Sequence, residues 1–481
     1  MDQSEPPVTP GAFCAIGNFV SYRTKTLRAD RSAEEGRHEA MKTLFEHGIV
    51  ITENPQDDVY KKGWVLVEDD MILGVGAGEY DGEEIPDSRV DAAGKCVLPG
   101  IVNVHTHVCG SLFKAMTEDV PGAFYGLALP MERLLTPEYT YQLSLLGILE
   151  CLKGGVTCIN DIYHYMANTA EAVKDLRIRG VLAHKILERD LAKICEGDYT
   201  LLPKMGQERL QDNIDLIETY HGKDKIICKF GPHATDTISM DLAKQIHDLG
   251  EQYGVGYHIH VAQKTEEVNF LKREYGCTPV EYLKETGLLS EKTTAAHCVY
   301  VNESDMNLLA QGNVTVAHCG EMLGKRGNFP PMKAFAEKGI KYCIGTDWVT
   351  MDPWTAMRCS VIGDRMMGCG LAHANAHTAL RKMTIEPAVH LGLGDRIGSL
   401  EPGKQADLIM IDYMKSSMIP MGDDPIATIV YNANRNDVCY VMCGGEVLVD
   451  DYELKVGDER AILADGQSVA DEIYEKYRGL R

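Results

Sequence analysis

Three things are scarce in this 481-residue chain. Basic charge is the first: 48 Lys and Arg face 71 Asp and Glu, a formal net charge of −23. Contact with nucleic acid or an anionic membrane needs clustered Lys and Arg, so neither is expected as a partner. Long apolar runs are the second. No stretch approaches ~18 uninterrupted apolar residues, so no membrane-spanning helix is expected. Paired cysteine is the third. The 15 cysteines are scattered without a CxxC pair, and several (Cys96, Cys158, Cys228, Cys343) sit in apolar, strand-like runs. That usage fits buried free thiols in a reducing cytosol rather than a disulfide framework. The opening MDQSEPPVTPGAF lacks the basic and then apolar regions of a secretory signal, so a cytoplasmic location is the expectation.

What is present is the balance of a folded chain, 44% hydrophobic and 25% charged. The length allows about three domains of ~150 residues, or one α/β barrel of ~250 residues with additions. Residues 1–96 read as a polar lead-in, with a short helix near 32–45, followed by β-type runs separated by Asp, Gly and Pro turns. The glycines of GVGAGEY (74–80) read as a sheet turn, since no helix pattern follows to make a dinucleotide loop. The β texture returns in 395–481, in DLIMIDY and VCYVMCGGEVLVDD. Both ends together predict a small β-sandwich domain. Between them, 97–394 alternates eight apolar strands with amphipathic stretches such as 240–253, 265–275 and 332–339. Such alternation predicts parallel strands and a (β/α)8 TIM barrel, so the fold class is α/β.

Polar residues recur at one place in that pattern. His105, His107, Asp161, His233, His260, His297, His318 and Asp347 each stand at or just past the carboxyl end of an apolar strand, the face where barrels build their sites. His105 and His107 are two apart on a strand, so they share a face, and His258 and His260 repeat the spacing. A bare HxH is more often a pair of hydrogen-bonded histidines. Histidines from three strands with a carboxylate from a fourth suit a divalent metal such as zinc, with iron, manganese and cobalt as alternatives.

These motifs, with GSLEPGKQADLIMID (398–412) and VAHCGEMLGKRG (316–327), resemble the amidohydrolase superfamily over nearly the whole chain. The branch is the one containing chlorotriazine hydrolases, guanine deaminases and adenosylhomocysteine deaminases. The resemblance implies His105, His107, His260 and Asp347 as metal ligands, Asp347 also as the catalytic proton carrier, and His297 as a catalytic contact to substrate or oxyanion. His233 and His318 are implied substrate contacts, His318 at the leaving group or behind it. Lys185 and Lys229 lack the flanks of a carbamylated bridging lysine, so one metal per subunit is expected. Homo-oligomers are common in the branch, and the partner is a small-molecule substrate.

One position departs from the pattern. The branch's deaminases and triazine hydrolases carry a glutamate three residues after the strand-five histidine, where this chain has Gln263. Glutamine hydrogen-bonds but cannot donate a proton as a general acid. A substrate with its own carbonyl would not need that proton, so the combination resembles the phenylurea and thiocarbamate (molinate) hydrolases of the branch. Hydrolysis of a C–N bond at a urea- or carbamate-type carbonyl is the first expectation, and an aminohydrolase or dehalogenase acting on a nitrogen heterocycle the alternative. A non-catalytic scaffold fits poorly, because the matched ligand set is intact. Glu266 and Glu267 read as solvated residues of a helix N-terminus, Asp161 as orienting a loop, Tyr163 and His164 as candidate cleft residues, and Trp348 and Trp354 as an aromatic wall or ordinary packing.

Overall fold

The computed structural model describes residues 40–120 and 122–480. Five strands precede the barrel: β1 (Lys42–Ile51), β2 (Val59–Glu68), β3 (Met71–Ala77), β4 (Ser88–Asp91) and β5 (Lys95–Pro99). The barrel strands are β6 (Ile101–Thr106), β7 (Val156–Tyr163), β8 (Arg179–Ile186), the broken pair β9 (Ile226–Cys228) and β10 (Gly231–Pro232), β11 (Tyr257–Val261), β12 (Thr293–His297), β13 (Thr315–His318) and β14 (Tyr342–Ile344). Four more follow: β15 (Leu408–Asp412), β16 (Val438–Cys443), β17 (Glu446–Asp450) and β18 (Glu453–Leu454).

The barrel is parallel throughout. β6 pairs β7, β7 pairs β8, and β8 pairs both β9 and β10. β11 to β14 pair in chain order. Parallel bridges between Phe230 and Tyr257 and between Ala234 and His260 join the two halves, and Thr106 with Asp347 closes the ring. The closing strands approach closely because position 345 is glycine: a Cβ there would stand 2.7 Å from the carbonyl oxygen of His105. The crossover helices follow apolar spacing. Met240–Tyr253 buries Leu242, Ala243, Ile246 and Gly250, is capped by the Ser239 hydroxyl accepting from Leu242 N, and stops at Gly254 with φ 71°.

Strands from both ends share one nine-stranded sheet in the order β18-β17-β16-β15-β5-β1-β2-β3, with β4 beside β1. Two sequence expectations change here. Residues 42–45, read as the end of a helix, are strand, with Leu44 and Phe45 buried, and 32–39 lies outside the described residues. The glycines of GVGAGEY fall mostly within β3, and side chains at Gly74 or Gly76 would collide with Trp64. The C-terminal tail is a helix, Glu459–Gly479, anchored by Tyr477 OH donating to Gly126 O at 2.8 Å and Tyr474 OH to Leu112 O. All 14 described cysteines are free.

The GKQADLIMID segment owes part of its character to one ion pair. Arg179, at the start of β8, donates through Nε and Nη2 to the two oxygens of Asp407, each at 2.8 Å, and Gly444 N donates to the same carboxylate at 2.7 Å. The side chains are 3% and 1% exposed. Arg179→Met strands that carboxylate without a counter-charge and is expected to cost about 3–5 kcal/mol, read as a lowered midpoint of urea unfolding.

Candidate metal centre

The carboxyl ends of β6, β11 and β12 and the turn after β14 aim side chains at one point. His105 Nε2 lies 3.5 Å and His107 Nε2 3.4 Å from Asp347 Oδ1. His260 Nε2 lies 3.3 Å from His107 Nε2, and His297 Nε2 3.8 Å from Asp347 Oδ2. Two of these backbones are shaped for this. His297 and Asp347 have φ of 79° and 65°, the left-handed region that non-glycine residues occupy at energetic cost and mainly at functional sites.

Partners behind the rings fix which nitrogen faces the centre. His107 Nδ1 meets Ile162 O at 2.7 Å and His260 Nδ1 meets His233 O at 2.6 Å. His105 Nδ1 meets His258 Nε2 at 2.7 Å, which leaves the buried His105 Nε2 without a hydrogen-bond partner among the described residues. Burial pushes the His105 and His260 imidazoles down to about 3, and those of His107 and His297 well below the usual histidine range. Neutral imidazoles whose lone pairs face one another at 3.3 Å cannot satisfy each other, whereas a cation between them satisfies all. The donor atoms of His105, His107 and His260 lie within 4.8 Å of one another, as do those of His105, His297 and Asp347. The residues therefore fit a divalent ion, and their backing carbonyls are the orienting partners that metal-bound histidines use.

The cleft over this centre is lined by His107, Glu132, Tyr163, Lys185, His233, His260, Gln263, His297, Arg326, Asp347 and Trp348. His233 and Gln263 thus stand where substrate contacts are expected. His318 does not. It is fully buried, with Nε2 3.1 Å from Asp364 Oδ1 and its ring against Phe329 and Tyr342. It ends its strand too deep to reach the cleft, so the structure gives it a packing role in place of the substrate contact. Of the tryptophans, Trp348 lines the cleft, while Trp354 is core, donating Nε1–H to Gly154 O at 3.0 Å. Asp161 holds the loop after His107 by accepting from Val108 N at 3.0 Å. His164 stands behind the wall, 3.4 Å from Glu132.

Two acidic residues carry more than their sequence context indicates. Glu132, in the β6–β7 connection, accepts from Lys185 Nζ at 3.0 Å and Tyr163 OH at 2.8 Å. Although burial opposes it, the Lys185 ammonium and His164 hold its carboxyl below the usual range. No strand position marks Glu132, which is why sequence pattern passes over it. Glu267 corrects the solvated reading. Glu266 is exposed, but Glu267 is wholly buried and accepts from Thr235 Oγ1 at 2.5 Å, Ala262 N at 2.9 Å and Gln263 N at 2.8 Å. Burial, with Asp236 adding to it, pushes its carboxyl up to about 7. Glu267→Gln turns an N–H donor toward one of those backbone N–H groups and is expected to cost about 1–3 kcal/mol in urea unfolding.

The amidohydrolase family model matches residues 96–448. The 5'-deoxyadenosine deaminase of Methanobrevibacter smithii is 32% identical over 432 residues, 88% of this chain and 96% of that protein. The 5-methylthioadenosine/S-adenosylhomocysteine deaminase of Syntrophomonas wolfei is 31% identical over 91% of this chain and 100% of its own. Among solved structures, an adenosine deaminase from Xanthomonas campestris with bound zinc matches with a TM-score of 0.84 at 26% identity, covering 90% of this chain and 99% of that one. An atrazine chlorohydrolase from Arthrobacter aurescens complexed with zinc shares the fold, with a TM-score of 0.80 at 22% identity over 89% and 100%. These relatives are named for deamination and triazine chemistry, so the expected likeness to phenylurea and molinate hydrolases gains no support.

Proposed function

The chain belongs to the amidohydrolase family, and from that premise we propose that it is a metal-dependent aminohydrolase replacing an exocyclic amino group of a nitrogen heterocycle by oxygen, with purine nucleosides as its substrate class. The observation that carries this reading is the convergence of His105, His107, His260 and Asp347 on one point at the floor of a cleft. The names of the relatives support the substrate class. Those four residues would hold one divalent ion, zinc in this proposal, and it would supply Lewis acidity and a water whose pKa falls toward ~7.

The side chains divide the remaining work. Asp347 takes a proton from the attacking water and passes it to the departing nitrogen, which leaves as ammonia. His297, 3.8 Å from Asp347, stabilises charge developing on the new oxygen. Gln263 offers an amide N–H to a ring nitrogen, and His233 and Trp348 close the wall around the ring. The Glu132–Lys185–Tyr163 group fixes an ionised carboxylate in the same cleft, an acceptor for substrate hydroxyls.

Gln263 favours a second reading, hydrolysis at a urea-type carbonyl, because such a substrate needs no ring protonation. One assay separates the two. Zinc-loaded full-length protein is given purine nucleosides, followed by ammonia release, and aryl ureas, followed by aniline release. The proposal expects kcat/KM of ~10⁴ M⁻¹s⁻¹ or more on at least one nucleoside. Turnover of ureas alone replaces it with the second reading.

A further inference from the structure

A second cavity opens at the other end of the barrel, around the strand starts at 227–229, 254–256, 292, 315 and 341–343, and shares no residue with the cleft. Its volume is about 630 Å³, and Ile227, Val255, Tyr342, Ile385, Val389 and Leu391 form the apolar part of a wall that also carries charged side chains. Lys229 stands at its inner side, 6% exposed. Its Nζ donates to Thr294 Oγ1 at 3.0 Å and Lys292 O at 3.4 Å, both neutral acceptors, and Thr294 Oγ1 is in turn 2.7 Å from His390 Nε2.

Basic side chains outnumber acidic ones in the lining, with Lys229, Lys292, Lys341 and Arg381 against Glu291 and Glu386. Among the described residues Lys229, Lys292 and Lys341 make no ion pair. Of the two acids, Glu386 is paired with Lys382 at 2.9 Å, while Glu291 accepts from the neutral Asn313 amide at 3.4 Å and keeps its charge at the exposed rim. In a chain of net charge −23, the buried Lys229 with the exposed Lys292 and Lys341 outweighs the Glu291 carboxylate and leaves the cavity net basic. Burial also pushes the Lys229 ammonium down to about 7, the behaviour of a buried cation left alone. His390 is held well below the usual histidine range by burial, so it adds a polar contact and no charge.

We propose that this cavity is a binding site for a small organic carboxylate with a flat apolar body. Its carboxylate pairs with Lys229 beside the His390 ring, which also lines the cavity. Its body lies on Ile227, Tyr342 and Val389. A single buried ammonium matches a monoanion, and the walls reward an apolar body over a bare inorganic ion.

The test is a calorimetric titration of zinc-loaded full-length protein with benzoate and with benzamide, which has the same shape without the charge. The expected result is one benzoate per chain and benzamide weaker by at least ~10-fold. Lys229→Met is expected to weaken benzoate by at least ~10-fold with turnover in the cleft unchanged. If that variant does not fold, Val389→Glu decides. Position 389 is 63% exposed, and a like charge there is expected to weaken benzoate by at least ~5-fold. No heat from benzoate up to ~10 mM, equal binding of benzamide, or unchanged benzoate affinity in the folded variants overturns the proposal.

Discussion

Asp347→Asn is expected to lower kcat/KM by about 10³-fold while the protein still binds its ion, because general acid–base transfer is worth ~10²–10⁴ and an amide oxygen can ligate but cannot carry the proton. The geometry assigns both jobs to one carboxylate: Oδ1 faces His105 and His107 at 3.5 and 3.4 Å, while Oδ2 faces His297 at 3.8 Å. Measuring metal content beside kinetics separates the roles. A variant that keeps its ion and turns over near the wild-type rate removes Asp347 as the proton carrier. A variant that loses both shows only that the carboxylate was needed to hold the ion.

The second large effect runs the other way. Gln263→Glu is expected to raise ammonia release from purine nucleosides by about 10²-fold, because a carboxylic acid at that position can protonate a ring nitrogen that an amide can only hydrogen-bond. Glu267 makes the change well posed. It grips the backbone N–H groups of Ala262 and Gln263, so the new side chain starts from a fixed point at the cleft wall. Turnover of aryl ureas, if any, should not rise, since a carbonyl carbon gains nothing from ring protonation. An equal or lower rate on nucleosides means that residue 263 does not address the ring, and favours the urea reading.

The barrel was legible because its signals are local. Apolar strands ending in His or Asp appear once per strand–helix unit, and period 2 along a strand puts His105 with His107 and His258 with His260. What period 2 does not carry is depth. His258 and His260 share a face, yet only His260 reaches the ion centre, while His258 sits one pleat lower and supports His105. Depth also removed His318 from the cleft, since β13 ends against Asp364 and Phe329. Glu267 was misread because a helix N-terminus is usually solvated, whereas this one folds back over Thr235 and the end of β11. Glu132 gave no signal at all. Its position comes from a long connection whose path only the packed barrel fixes, with Lys185 and Tyr163 as its partners.

Metal stoichiometry of the purified full-length chain, measured by inductively coupled plasma mass spectrometry together with ammonia release before and after chelation, addresses the convergence of His105, His107, His260 and Asp347 most directly. The account predicts close to one zinc or equivalent divalent ion per chain, activity lost on its removal and restored on its return, and a His107→Ala variant that retains little of either. A chain that turns over its substrate with no bound ion, or a His107→Ala variant with full metal and full activity, contradicts it.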